Sequence, residues 1–213
     1  MRMTARDRVV CFDLGGVIVR ICRTFEEGLA AAGVPARHEG PDWLDAAAFR
    51  AAEAAYQTGE LDDAAYYAAA SAATGRRYDI SEIRRVHHHW IRGPYPGVRE
   101  LLVELAASGM VTAALSNTNA AHWRQLEVCD AFRAIRHRHA SHLIGLAKPD
   151  PAIFAWFERA LGVPGECILY FDDLEPNVAA AAARGWSAHR IDHRGDTAAQ
   201  IRQVLAASGW SRG

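Results

Sequence analysis

Four short stretches carry side chains whose chemistry becomes meaningful in combination: FDLGGV at residues 12–17, LSN at 115–117, KPDP at 148–151 and FDD at 171–173. In chain order they offer a nucleophilic carboxylate in Asp13, a hydroxyl and an amide in Ser116 and Asn117, a lysine in Lys148, and the acid pair Asp172-Asp173. That set suits phosphoryl transfer. A phosphate monoester is an anion, so an attacking carboxylate needs a divalent cation and fixed donors to cancel repulsion and keep the reacting oxygens in line. Asp13 is the candidate attacker, and its product would be an aspartyl-phosphate that water later breaks. Two adjacent acids at a buried strand end repel each other without a cation, which makes Asp172 and Asp173 candidate metal ligands.

The elements that must position these groups follow from periodicity. VVCFDL (9–14), MVTAALS (110–116) and CILYF (167–171) are short apolar runs that suit buried parallel strands, and each ends at one of the motifs. Ligands of open α/β sheets bind outside the carboxyl ends of the strands, so the three ends are expected to converge on one crevice. Helical patterns alternate with the strands. Pro96-Gly97 opens one that stops at Gly109, Asp150 caps another with Pro151 at its first position and Gly162 at its end, a third runs from about Pro176 to Gly185, and a last starts at Thr197, with Gln200 completing a capping box. Strand and helix in alternation predict an α/β fold, a Rossmann-like doubly wound parallel sheet core.

Residues 21–92 differ, being rich in alanine and without a convincing buried strand. Thr24 with Glu27, Asp42, Asp62 and Ser81 are expected to cap four helices there, with Phe49, Ala52 and Tyr56 on one face of the second. This stretch reads as an α-helical cap inserted into a core made of residues 1–20 and 93–213, with short hinges near 18–21 and 92–96.

Composition removes other classes. Lys and Arg total 24 against 25 Asp and Glu, a formal charge of -1, so no global field favours nucleic acid or an anionic membrane. Half the 213 residues are hydrophobic, yet no run is long enough to span a bilayer. The N-terminal residues lack the pattern of a secretory signal and the four cysteines have no paired spacing, which together favour reduced thiols and a cytoplasmic protein.

The order of FDLGGVIV, YQTGELDD, LSNTNAAH, HLIGLAKPDPAIF and FDDLEPNV resembles the haloacid dehalogenase-like hydrolase superfamily over nearly the whole chain, in particular the branch of sugar-1-phosphate phosphatases and the N-terminal phosphatase domain of soluble epoxide hydrolase. The resemblance implies a magnesium-dependent phosphatase acting on a small phosphorylated metabolite, with a sugar phosphate as one expectation. It assigns Asp13 as nucleophile and magnesium ligand, Ser116 and Asn117 to the phosphoryl group, Lys148 to charge balance, Asp173 and Asp172 to the metal, and Asn177 to the shell behind them. Gly15 stands where many relatives carry a second aspartate that acts as general acid and base. The carbonyl of Gly15 can still reach the metal, but the proton donor is missing. A positioned acid or base is worth about 10² to 10⁴ in rate, so the loss predicts a slower enzyme or a substrate with an easy leaving group. Tyr56, Gln57 and Glu60 in the cap and His122 and Trp123 after LSNTN are the candidates for substrate contact.

Two other functions compete. A metal-independent haloacid dehalogenase would share Asp13, but relatives of that kind carry an aromatic residue at the position of Gly15 and lack the acid pair. A phosphate-binding regulatory protein with weak or no turnover would fit the missing acid. Neighbouring His87, His88 and His89 point in different directions on a helix and cannot clasp one ion, and His137, His139 and His142 lack a convergent fourth ligand. Both groups are expected to be structural. The oligomeric state, monomer or homodimer, is left open by the sequence.

Overall fold

A computed structural model describes residues 7–37 and 43–210. The central run becomes β1 (Val9–Phe12), followed by β2 (Val19–Ile21). Four helices come next: α1 (Phe25–Ala32), α2 (Ala46–Gln57), α3 (Asp63–Ala73) and α4 (Ile80–His88). The chain then returns through β3 (Ile91–Pro94) to α5 (Val98–Ala107) and β4 (Val111–Ser116). Short helices α6 (Ala120–Leu126) and α7 (Asp130–Arg133) lead to β5 (His137–Ala140) and α8 (Ser141–Ile144). The remainder is α9 (Pro151–Leu161), β6 (Ile168–Asp172), α10 (Glu175–Ala182), β7 (Ser187–Arg190) and α11 (Thr197–Ala207).

The main sheet is parallel in the order β5-β4-β1-β6-β7. Alternation along β1 divides its burial between two layers. Val10 and Phe12 join the core beneath α5 and α11, with Leu101, Leu105, Ile201 and Leu205. Val9 and Cys11 join the opposite layer with Ile153, Phe157 and Ala181 of α9 and α10. Strands buried on both faces must be apolar throughout, which is why these runs show no polar alternation. Truncating a buried phenylalanine such as Phe157 to alanine costs about 3–5 kcal/mol.

Winding reverses between β1 and β6, because the chain moves from β1 to β4 and β5 and then crosses back to β6. Phe12 pairs in register with Ala114 and Phe171, so the residues after these strands emerge at one level. The crevice of a doubly wound sheet forms at such a reversal.

The helical insertion has its own core, in which Leu29, Tyr56, Tyr66, Tyr67 and Tyr78 are buried with Ile83 and Val86. Ala52 and Tyr56 lie on the buried face of α2 with Phe49 packed against them, as their spacing predicts. It joins the sheet domain through an antiparallel ribbon in which Val19 pairs with Pro94 and Ile21 with Ile91. The ribbon falls at the stretches near 18–21 and 92–96 expected as connectors; three and four residues give too little pattern to identify a strand from sequence.

Caps agree with the sequence at Thr24, Asp62 and Asp150 and differ elsewhere. Glu27 bonds the Arg23 amide in place of that of Thr24, so the box there is incomplete. Asp42 lies outside the described residues, and α2 is capped by Asp45, which accepts from the Ala48 amide at 2.9 Å. At α4 the cap is Asp79, not Ser81: Asp79 and Glu82 form a full capping box, and Ser81 donates to Asp79. The final helix is capped by Asp196 one residue ahead of Thr197, and Gln200 reaches back to bond the backbone of Asp192. Aspartate accepts at least as well as serine or threonine at a cap, in keeping with the shifts at α4 and α11.

Candidate active site

Asp13 directly follows β1, and its amide donates to the Phe171 carbonyl at 2.8 Å and so ties the start of the first motif to β6. β6 ends at Asp172, which is fully buried, with Asp173 beside it. One oxygen from each of Asp13, Asp172 and Asp173 lies within 4.8 Å of the others. Between them sits the ammonium of Lys148, 2.9 Å from Asp13 Oδ1, 2.7 Å from Asp172 Oδ2 and 2.8 Å from the Tyr170 hydroxyl.

The environment sets the charges. Burial pushes the Asp13 carboxyl up to about 6, against the pull of Lys148. Burial acts the same way on Asp172, but Lys148, Tyr170 and the Leu174 amide outweigh it and hold that carboxyl below its ordinary range. Burial alone would lower Lys148, and the two aspartates reverse this to keep the ammonium charged. Asp173 pairs with Arg23 at 2.6 Å.

Supporting groups fix these side chains. Tyr170 donates to Asp172, and the Asn177 amide reaches both Asp172 oxygens at 3.0 and 3.1 Å. Asn117 grips the Lys148 backbone from both sides, donating to its carbonyl at 2.7 Å and accepting from its amide at 2.8 Å. The lysine is therefore anchored at its backbone by β4 and at its tip by β1 and β6. Gly16 has φ +85°, and a Cβ there would lie 2.5 Å from Asp173 Oδ2, so the close approach requires glycine. At Gly15 a Cβ would press Ile21 Cδ1 at 3.1 Å, so the Ile21 side chain would have to yield by a few tenths of an ångström.

A cavity of about 140 Å³ runs from Gly15, Ser116 and Asn117 into the helical insertion. Tyr56, Gln57 and His122 line it; Tyr56 donates its hydroxyl to Asp63 at 2.6 Å, leaving its ring to the cavity. Glu60 does not line it. That side chain is exposed and accepts from Thr58 Oγ1 at 2.9 Å, because the turn at Gly59 directs it outward. Trp123 instead packs edge-on against Phe132.

Arg23, Glu53, Asn119 and Tyr170 belong to this region and were not singled out from sequence. Only Tyr170 carried a signal, a hydroxyl two residues before Asp172 and therefore on the same strand face. The histidines of the triplet point apart: His88 bonds Gln125 and His89 bonds the Arg85 carbonyl of its own helix, whereas His87, expected on a partly exposed face, is buried and lines the cavity. His137, His139 and His142 form no acid or metal cluster among the described residues.

A parallel sheet with helices on both faces and a buried carboxylate-lysine cluster at its switch point is a Rossmann-like α/β architecture. The chain belongs to the haloacid dehalogenase-like hydrolase family, which it matches over residues 8–185. It is 30% identical over 130 residues to Phosphatase MT3486 of Mycobacterium tuberculosis, a match spanning 60% of this chain and 60% of that protein's length. Solved structures share the fold. A magnesium complex of the family enzyme bt-2542 from Bacteroides thetaiotaomicron superposes with TM-score 0.75 at 20% identity, covering 92% of this chain and 99% of that one. A HAD-like family hydrolase from Porphyromonas gingivalis gives 0.73 at 21% identity, covering 94% and 98%. A dehalogenase gives 0.65 at 19% identity, covering 91% and 88%. No helix of the described residues is long and apolar enough to cross a membrane.

Proposed function

We propose that the protein is a magnesium-dependent phosphatase of a small phosphorylated metabolite, with Asp13 as nucleophile. The carrying observation is the buried cluster in which Lys148 bridges Asp13 and Asp172 while Asp173 stands within reach of both. Three carboxylates face one buried ammonium and the partly exposed Arg23, a donor set of hard oxygens with negative charge to spare. Such a set fits a divalent cation. Asp13, Asp173 and the Gly15 carbonyl would hold magnesium, with Asp172 beside them, and the ion would supply positive charge to the phosphoryl oxygens.

An Asp13 oxygen attacks phosphorus, forming an O–P bond as the bond to the leaving alkoxide breaks, and the alkoxide takes a proton from water. Water then attacks the aspartyl-phosphate, releasing inorganic phosphate and restoring the carboxylate. Lys148 and Ser116 bear on the transferred group. The helical insertion, residues 21–92, acts as a cap that excludes bulk water during the reaction.

Hydrolysis of p-nitrophenyl phosphate with and without magnesium tests the reading. Turnover should require the metal and fall at least about 10³-fold in Asp13→Asn. Phosphate binding without turnover would favour the regulatory function, and halide release without metal the dehalogenase.

A further inference from the structure

Away from Gly15, Ser116 and Asn117, which adjoin the acidic cluster, the cavity changes character. Phe25, Phe49, Tyr66, Ile83, Trp90 and Leu126 form an apolar side of its wall, while Gln57, Asn119 and His122 lie among the polar lining residues. The rings hold one another in place, Phe25 edge-on to Phe49 with centroids 6.1 Å apart and Tyr66 stacked on Tyr56 at 4.3 Å. At about 140 Å³ the space compares with an engineered apolar cavity of ~150 Å³ that binds benzene. Hydroxyls of a polyol turned toward that aromatic side would lack partners, and each such group costs about 1–3 kcal/mol.

One acid interrupts the apolar lining. Glu53 stands on α2 three and four residues before Tyr56 and Gln57, on the same helix face, and contributes to the same wall. It is partly buried, and no cation or hydrogen-bond donor among the described residues answers it. Burial raises its carboxyl with no opposing neighbour. A carboxylate in an apolar wall is costly unless a positive charge comes to it. Aromatic faces attract that same kind of charge, most strongly when it is a weakly hydrated ammonium.

Resting on the phosphatase reading, we infer that the substrate is the phosphomonoester of a compact, largely apolar alcohol bearing a cationic nitrogen, with its phosphate at Asp13 and its nitrogen among the aromatic rings beside Glu53.

Phosphocholine and 3,3-dimethylbutyl phosphate have the same shape and differ in the charge of one atom. The wild-type enzyme should show a higher kcat/KM for phosphocholine, mainly through KM. In Glu53→Gln the ratio between the two esters should fall about tenfold, equivalent to ~1.4 kcal/mol. Intrinsic leaving-group reactivity and any general loss of active protein cancel in that ratio. Equal wild-type values, or a ratio unchanged in Glu53→Gln, would overturn the inference. If p-nitrophenyl phosphate is still hydrolysed with magnesium in that case, the phosphatase reading stands alone; if no ester turns over, both fail.

Discussion

Lys148 is the residue on which the charges of the site depend. Its ammonium is buried against Asp13 and Asp172, and removing one partner of a buried ion pair leaves an uncompensated charge that typically costs about 3–5 kcal/mol. Lys148→Met should therefore lower the melting temperature and reduce phosphate ester turnover by about 10² or more, read by calorimetry and initial rates. Magnesium should recover part of the stability, since a divalent ion supplies charge at the same place. Gly15 leads to a separate expectation. No acid occupies that position, so the rate should rise steeply with leaving-group acidity across a series of aryl phosphates, and a flat series would show that some other group donates the proton. At this scale the sequence was legible where several functional types recur in order, as with Asp13, Ser116, Lys148 and Asp173. Asn117 and Asn177 were read as site residues, but their geometry, gripping the Lys148 backbone and the Asp172 carboxylate, depends on loops that meet only in three dimensions. Glu53 gave no signal, because one acid on an alanine-rich helix looks like an ordinary solvated face.

Among the elements, α4 and α6 meet across the insertion and the sheet domain. The His87 and His122 rings stack at 3.8 Å and within 4° of parallel, with the Asn119 amide 3.2 Å from His87 Nε2 and the His87 carbonyl 2.9 Å from His122 Nε2. Burial lowers both imidazoles, His122 to about 4 from an ordinary 6.5. Between those values the unfolded chain binds more protons than the folded one, so stability falls as pH drops through the window, by up to about 1.4 kcal/mol per pH unit for each proton. Urea midpoints should fall from pH 6.5 to 4.5, and His122→Gln should flatten the dependence. Strands were legible in proportion to burial. β1, β4 and β6 are apolar because both faces are covered, whereas β7, with sequence Ser187-Ala188-His189-Arg190, lies at a sheet edge with one side partly open and shows no hydrophobic run. β5 at the other edge is similar, and only its alternating His137 and His139 suggested a strand.

Over the whole molecule, the cavity is lined both by the helical stretch and by the strand ends of the main sheet, which a slim ribbon and side-chain contacts join. Arg124 of α6 pairs with Asp63 of α3, and the turn at Gly59 rests on α8, where a Cβ would come within 2.4 Å of the His142 carbonyl. The ion pair is largely exposed and worth less than about 1 kcal/mol, so it can open without great cost. If the cap must part to admit substrate and release phosphate, kcat should decline with solvent viscosity in sucrose, and a viscosity-independent kcat would place the slow step in the chemistry. The antiparallel pairing of Ile21 with Ile91 has a further meaning for how such a molecule can vary. The intervening stretch leaves and rejoins at facing positions, so its length is free of any demand from the catalytic scaffold, and loop-closure entropy changes only slowly with length. Exchange of one stretch for another at this neck would retune the choice of guest while the reacting groups beneath stay as they are, much as interchangeable lids fit one vessel.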